Sequence, residues 1–284
     1  MDKVIFGDNQ FFGVNHKSES KAAAQLNAFQ STDSIYKSLE YVNEIGIKSF
    51  MFTTHDRFDP IFERMAKDNN FKDFKLIPCM PYAHKYANAM VDMGIFKAMG
   101  KFIPGSKIVA ASKVTMSAFT ANPVPLMKLL IDSEMKQLKN NNVDAIFLQN
   151  IVVDLLLGLG GEFLLAEFSQ YVEHKYNIRA GFITMNYVKL ANALVDHLGL
   201  DKPLICSGIN KIGFRMNPSQ QAVEECLALN KTDNIAMSIL ASGAIKPEEA
   251  VNYIAKLPNV KSVLFGASSP KNIKHTNELL LGSL

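Results

Sequence analysis

The chain has 284 residues, 48% of them hydrophobic, and 30 lysines and arginines against 27 aspartates and glutamates. A net charge of +3 at this length excludes the dense basic footprint of a nucleic-acid binder or a polybasic membrane surface, and leaves a small molecule as the expected partner. Cys79, Cys206 and Cys226 are odd in number and without paired spacing, which argues against a disulfide framework or a thiolate zinc site and for a reducing, cytoplasmic setting. The start, MDKVIFGDNQ, carries charge and glycine where a secretory signal needs an apolar run. No segment reaches the roughly twenty apolar residues of a membrane span.

Short apolar runs alternate with longer amphipathic segments along the whole chain, the pattern of βα units feeding a parallel sheet. In chain order the strand-like runs are Val4–Phe6, Ser49–Thr53, Lys75–Met80, Ala145–Gln149, Arg179–Thr184, Pro203–Ser207, Ile235–Ser238 and Ser262–Gly266. Eight strands are what a (β/α)8 barrel requires. Lys107–Ser112 is a ninth candidate, so either it or Lys75–Met80 lies outside the barrel. Ser34–Ile45 carries Ile35, Leu39, Val42 and Ile45 on one stripe and stops at Gly46, which predicts a helix. Leu126–Leu138 reads the same way. The apolar patch Ile151–Leu159, interrupted by Asp154, is expected in the core. Gly158–Gly161 lacks the strand, lysine and hydroxyl of a phosphate loop and reads as a flexible loop. Without linker composition or internal repeats, residues 1–284 are assigned to one domain.

In such a barrel the active site lies just beyond the carboxyl ends of the strands, and those positions are polar here. Strand one is followed by Asp8, Asn9 and Gln10, strand two ends on Thr53 and runs into His55 and Asp56, and strand three leads to Tyr82 and His84. Gln149 and Asn150 follow strand four, Asn186 strand five and Asn210 strand six. Asp8 with His55 or His84 would make a carboxylate-imidazole pair suited to acid-base work near neutral pH, with Tyr82 as an acid. Each has a plainer reading: Asp8 and Asn9 closing a turn, Asp56 capping a helix, His84 opening one. No HxH or HExxH spacing supports a metal, so none is assigned. His174, His197 and His275 read as solvated helix-face residues.

The last two strand ends carry small-residue turns, Ser238 to Gly243 and Gly266 to Ser269, each opening a helix. Lys246-Pro247-Glu248-Glu249 and Ser269-Pro270 are helix-start signals. Backbone amides at such turns favour an anion, which makes Ser238, Gly243, Gly266, Ser268, Ser269 and Lys271 a candidate phosphate corner. The competing reading is two well-capped tight turns.

The stretch IAMSILASGAIKPEEAVNYIAKLPNVKSVLFGASSPKNI, with Ala180–Asn186 and Ser207–Asn210 before it, resembles the carboxyl-terminal half of the aldo/keto reductases. That resemblance implies an aldo/keto-reductase-like (β/α)8 barrel, with NADPH phosphates at the last two turns and the nicotinamide carboxamide near Asn186. It also implies a tetrad of aspartate, tyrosine, lysine and histidine, in which tyrosine donates the proton. Here the aspartate position falls on Thr53, the tyrosine position on Phe58 and the histidine position on Gln149-Asn150. Met185 replaces the serine paired with Asn186, and Lys113 is the candidate for the lysine. The expectation is therefore a barrel enzyme that has lost the reductase tetrad and works on a small polar or phosphorylated metabolite by His/Asp chemistry, as an isomerase, lyase or transferase. The substrate would be bound by Asn9, Gln10, Thr53, Lys113, Gln149, Asn150, Asn186 and Asn210. An atypical NADPH-dependent oxidoreductase and a catalytically silent ligand-binding barrel are the alternatives.

Overall fold

A computed structural model describes residues 1–14, 19–82 and 122–283. Its strands are β1 (Val4–Phe6), β2 (Ser49–Thr53), β3 (Lys75–Met80), β4 (Asn142–Val143), β5 (Ala145–Leu148), β6 (Arg179–Thr184), β7 (Leu204–Gly208), β8 (Asp233–Met237) and β9 (Val260–Phe265). All pairings are parallel, and the sheet closes through β1 on β9 and β2 on β3. β4 and β5 pair with opposite ends of β3, at Leu76 with Val143 and Met80 with Leu148, and so form one interrupted stave. The result is a closed barrel of eight parallel staves. Lys75–Met80 is the third stave, paired with β2 and β5; Lys107–Ser112 lies outside the described residues.

Helices cover the outside: α1 (Glu19–Ala28), α2 (Thr32–Glu44), α3 (Asp59–Met65), α4 (Val124–Met135), α5 (Asn150–Leu159), α6 (Phe163–Tyr176), α7 (Tyr187–Asn192), α8 (Gln220–Ala228), α9 (Pro247–Ile254) and α10 (Pro270–Ser283). Their boundaries follow local chemistry. The Ser31 hydroxyl accepts from the Ser34 amide to start α2, Pro247 opens α9 with Glu248 and Glu249 in its first turn, and the Ser269 hydroxyl accepts from the Asn272 amide. Hydroxyl caps, proline and early carboxylates each satisfy or complement the free amides of a helix start.

Two apolar layers result. Inside, Ile5, Met51, Ile77, Phe147, Cys206 and Ile235 fill the barrel with their neighbours, as the alternation of side chains along each strand demands. Gly181 makes this packing fit: a Cβ there would meet the Phe147 ring at 2.4 Å. Between strands and helices lies the larger layer, with Phe11, Phe50, Phe52, Phe58 and Phe62 in mutual ring contact at centroid distances of 4.6–6.3 Å.

Three expectations are corrected. The 151–159 patch is a helix with one buried and one open face: Val153 and Leu157 are buried, whereas Ile151, Leu155 and Leu159 are exposed, Leu159 by 76%. Four-residue spacing puts those three on one stripe. Gly158–Gly161 is no free loop; it ends α5, with Gly160 in the left-handed region at φ 72° donating its amide to Leu156. Stave seven, β8, begins at Asp233 rather than Ile235, because Asp233 and Asn234 reach Arg179, Tyr187 and the Asn259 carbonyl. Polar strand residues of this kind are invisible to a search for apolar runs.

Candidate active site

At the carboxyl end of β1 the chain turns at once. The Gly7 amide donates to the Phe265 carbonyl, and Phe11 closes onto the Asp8 carbonyl at 2.8 Å. This leaves the Asp8 side chain beside β2, where its Oδ2 accepts from the Thr53 amide at 2.8 Å. Asp8 retains some solvent access, yet burial pushes its carboxyl up to about 6, against the Thr53 amide, its own amide and the Thr53 hydroxyl, which favour the ionised form. The Gln149 amide nitrogen reaches the Thr53 hydroxyl at 3.5 Å, a long hydrogen bond. Asp8, Thr53 and Gln149 thus form one polar patch across the ends of three staves.

His55 follows two residues later. Its Nδ1 accepts from the Arg57 amide at 3.0 Å, so the proton of the neutral ring belongs on Nε2. The ring lies between Phe12 and Tyr82, at centroid distances of 5.0 and 5.2 Å. His55 itself caps the short helix Asp56–Phe58. This corrects the reading of Asp56 as the cap; Asp56 is an exposed first-turn residue. Arg57 donates to the Phe11 carbonyl at 2.9 Å and ties the first two strand-end turns together. Burial, then the charges of Asp56 and Asp8, hold the Tyr82 hydroxyl above the usual phenol range. Tyr82 thus feels the charge of Asp8 and meets the His55 ring.

The other candidates divide. Asn150 is the half-buried first residue of α5. The Asn186 amide donates to the Thr184 hydroxyl at 2.8 Å, which leaves its half-buried side chain at the start of α7. Asn210 is fully buried, and its carboxamide bonds both the amide and the carbonyl of Phe214 at 2.8 Å; it closes its own loop. Asn9 is exposed. Gln10 is 2% exposed and donates to the Gly7 carbonyl at 2.6 Å, while its Oε1 lies where a Cβ on Gly266 would be, 2.3 Å away. That oxygen is buried without a hydrogen-bond partner.

At the turn after β8, Ser238, Ala241, Ser242 and Gly243 all have positive φ. The Ala241 amide donates to the Ser238 carbonyl, and the Gly243 and Ile245 amides to the Leu240 carbonyl. Gly266, Ser268 and Lys271 are exposed at the start of α10, and the Ser269 hydroxyl is its cap. His84 and Lys113 lie outside the described residues. Among the described residues no group of three or more His, Cys, Asp and Glu side chains could hold a metal ion, and no helix is long and apolar enough to cross a membrane.

Two carboxylate contacts, one buried and one half-buried, are not among the sequence expectations. Glu134, 2% exposed on α4, accepts from the Thr54 hydroxyl and from the Tyr82 amide. Asp154 on α5 accepts from the Thr184 hydroxyl at 2.5 Å and the Met185 amide at 3.0 Å. The signal for the first was a glutamate on the stripe of Ile131 and Leu138, and for the second an aspartate inside an apolar run.

No family model and no curated protein matches the sequence. Solved structures do. A putative aldo-keto reductase from Pseudomonas aeruginosa overlaps 99% of this chain and 90% of its own, at 12% identity and TM-score 0.57. The thermostable aldo-keto reductase Tm1743, solved with the inhibitor epalrestat, overlaps 98% of this chain and 89% of its own, at 13% identity and TM-score 0.57. Gox0644, solved as a variant in complex with NADPH, overlaps 98% and 83%, at 10% identity and TM-score 0.51. The chain has the aldo/keto-reductase-like (β/α)8 barrel fold. At these identities the likeness is one of fold, and function must be argued from the site.

Proposed function

We propose that this protein is an enzyme that moves a proton on a small polar or phosphorylated metabolite at the barrel mouth. Asp8 takes or returns the proton, and His55, with Tyr82 beside it, supplies or stabilises the partner charge. The observation that carries this reading is Asp8 itself. A carboxyl with its pKa raised to about 6 at a barrel strand end is poised for acid-base work near neutral pH. By the resemblance, the family's aspartate, tyrosine and histidine positions fall on Thr53, Phe58 and Gln149-Asn150. Phe58 is buried among phenylalanines and has no proton to give. The chemistry is thus assigned to an isomerase, lyase or transferase step rather than to ordinary carbonyl reduction.

The test is exchange of solvent deuterium into a panel of small polar and phosphorylated metabolites, followed by NMR. Asp8→Asn and His55→Ala should each lower the exchange rate by about 10²- to 10⁴-fold, the usual contribution of a general acid or base. Unchanged rates in both would sink the assignment.

A second reading, an NADPH-dependent oxidoreductase, is favoured by the near full-length overlap with a barrel solved in complex with NADPH. At the Ser238–Gly243 turn the Ala241 and Gly243 amides, followed by those of Ala244 and Ile245, donate to turn carbonyls, which leaves fewer donors there for a phosphate. The start of α10, with Lys271 exposed in its first turn, is the better anion position. Fluorescence titration with NADPH decides: no binding at millimolar cofactor removes this reading.

A further inference from the structure

Glu134 lies on α4, outside the barrel, yet its carboxylate reaches the ends of two staves at once. Oε1 accepts from the amide of Tyr82, two residues beyond β3, and Oε2 from the hydroxyl of Thr54, the first residue beyond β2. The residue after Thr54 is His55, whose ring stands 5.2 Å from that of Tyr82. A carboxylate is costly to take out of water, and a leucine would fill similar space on this stripe without that cost. What the carboxylate adds is a pair of directed bonds across the gap between β2 and β3.

We propose that Glu134 is a positioning residue: it clamps these two strand ends so that the His55 imidazole and the Tyr82 ring keep their relation at the mouth. The proposal deepens the acid-base reading given above and rests on it for its catalytic meaning. It also distinguishes shape from charge. A glutamine at this position keeps both bonds, accepting from the Tyr82 amide through its oxygen and donating to the Thr54 oxygen. The Thr54 hydroxyl then turns to the Cys79 carbonyl, already 3.3 Å away.

The experiment follows the His55 Hε1 resonance in the full-length protein, assigned by its loss in His55→Ala, with Tyr82→Ala marking the displacement that follows loss of the neighbouring ring. Glu134→Ala and Thr54→Val should displace the resonance in the same direction, and Glu134→Gln should hold it at the wild-type position. Misplacement of this kind costs on the order of 10²-fold in rate, so kcat of Glu134→Ala should fall by about that factor while KM holds. A wild-type resonance in both Glu134→Ala and Thr54→Val overturns the proposal, as does a Glu134→Gln displacement equal to that of alanine. If Glu134→Ala does not fold, Thr54→Val alone decides. The resonance needs no substrate, so an active Asp8→Asn would defeat the functional reading and leave this result standing.

Discussion

Asp8 sits in a place that is poor for a charge and good for a proton. Its neighbours are strand ends, and the Thr53 amide, its own amide and the Thr53 hydroxyl favour the ionised form, but burial outweighs them. The folded pKa of about 6 exceeds the unfolded value near 4, so the native state holds this proton more tightly. The resulting stability is fully present below about pH 4 and is lost as pH rises through about 6. Asp8→Asn, which keeps an acceptor for Thr53 and cannot ionise, should therefore be more stable than wild type at pH 7.5 by about 1–3 kcal/mol, a shift of two pKa units setting the upper end. Urea titrations at several pH values should show that advantage shrinking through pH 6 and vanishing near 4. A gain in stability with a loss of activity is what a residue kept for chemistry would show.

Gln10 and Gly266 pose a different residue-scale question. Gly266 lies in a candidate anion turn, where a side chain would block close approach of a ligand to the backbone. The structure supplies a nearer obstacle, because the new Cβ would occupy the place of the Gln10 oxygen. Gly266→Val should thus displace Gln10 from the Gly7 carbonyl and destabilise the fold by about 1–3 kcal/mol, as overpacking does. A lowered urea midpoint in the absence of any anion checks this; an unchanged midpoint would show that Gln10 moves aside at no cost.

At the scale of elements, carboxylates join outer helices to the ends of inner staves. Asp154 does for α5 and β6 what Glu134 does for α4 and the ends of β2 and β3: one oxygen takes a threonine hydroxyl, the other a backbone amide just beyond the strand. Asp154→Ala would leave the fully buried Thr184 hydroxyl and the Met185 amide short of an acceptor, at about 1–3 kcal/mol for a buried unsatisfied group. Adding Thr184→Val should return part of that loss, since removing both partners is cheaper than removing one. Denaturation of the single and double variants would reveal the coupling, and additive effects would argue against it.

At the scale of the molecule, closure is the decisive feature. β1 is the first stave and β9 the last, and their pairing joins the two ends of the chain through Val4–Val263, Ile5–Leu264 and Phe6–Phe265. Deleting residues 260–284 would remove a stave with two neighbours, open the barrel, and uncover the apolar face to which Ile273 and Leu280 of α10 contribute. Such a chain should lack a cooperative unfolding transition in urea, although most of its βα units are intact. A sharp transition in the truncated protein would mean that the barrel tolerates an open edge.

Much of this architecture was legible in the sequence. Val4–Phe6, Ser49–Thr53, Lys75–Met80 and Arg179–Thr184 are strands at their expected bounds, because a stave buried on both faces must be apolar almost throughout. The starts of α9 and α10 were legible too, since proline and hydroxyl caps act over a few residues of backbone. What the order of residues could not show is which polar groups meet. His55 rather than Asp56 caps its helix, Asn210 is taken up by Phe214, and the Ala241 and Gly243 amides after β8 donate inside their own turn. Asp8 and Thr53 are 45 residues apart, and Thr54 and Glu134 are 80 apart. Only barrel closure brings them together, because the site is assembled from the ends of separate staves, and burial there sets the charge state of the carboxylate that the functional reading rests on.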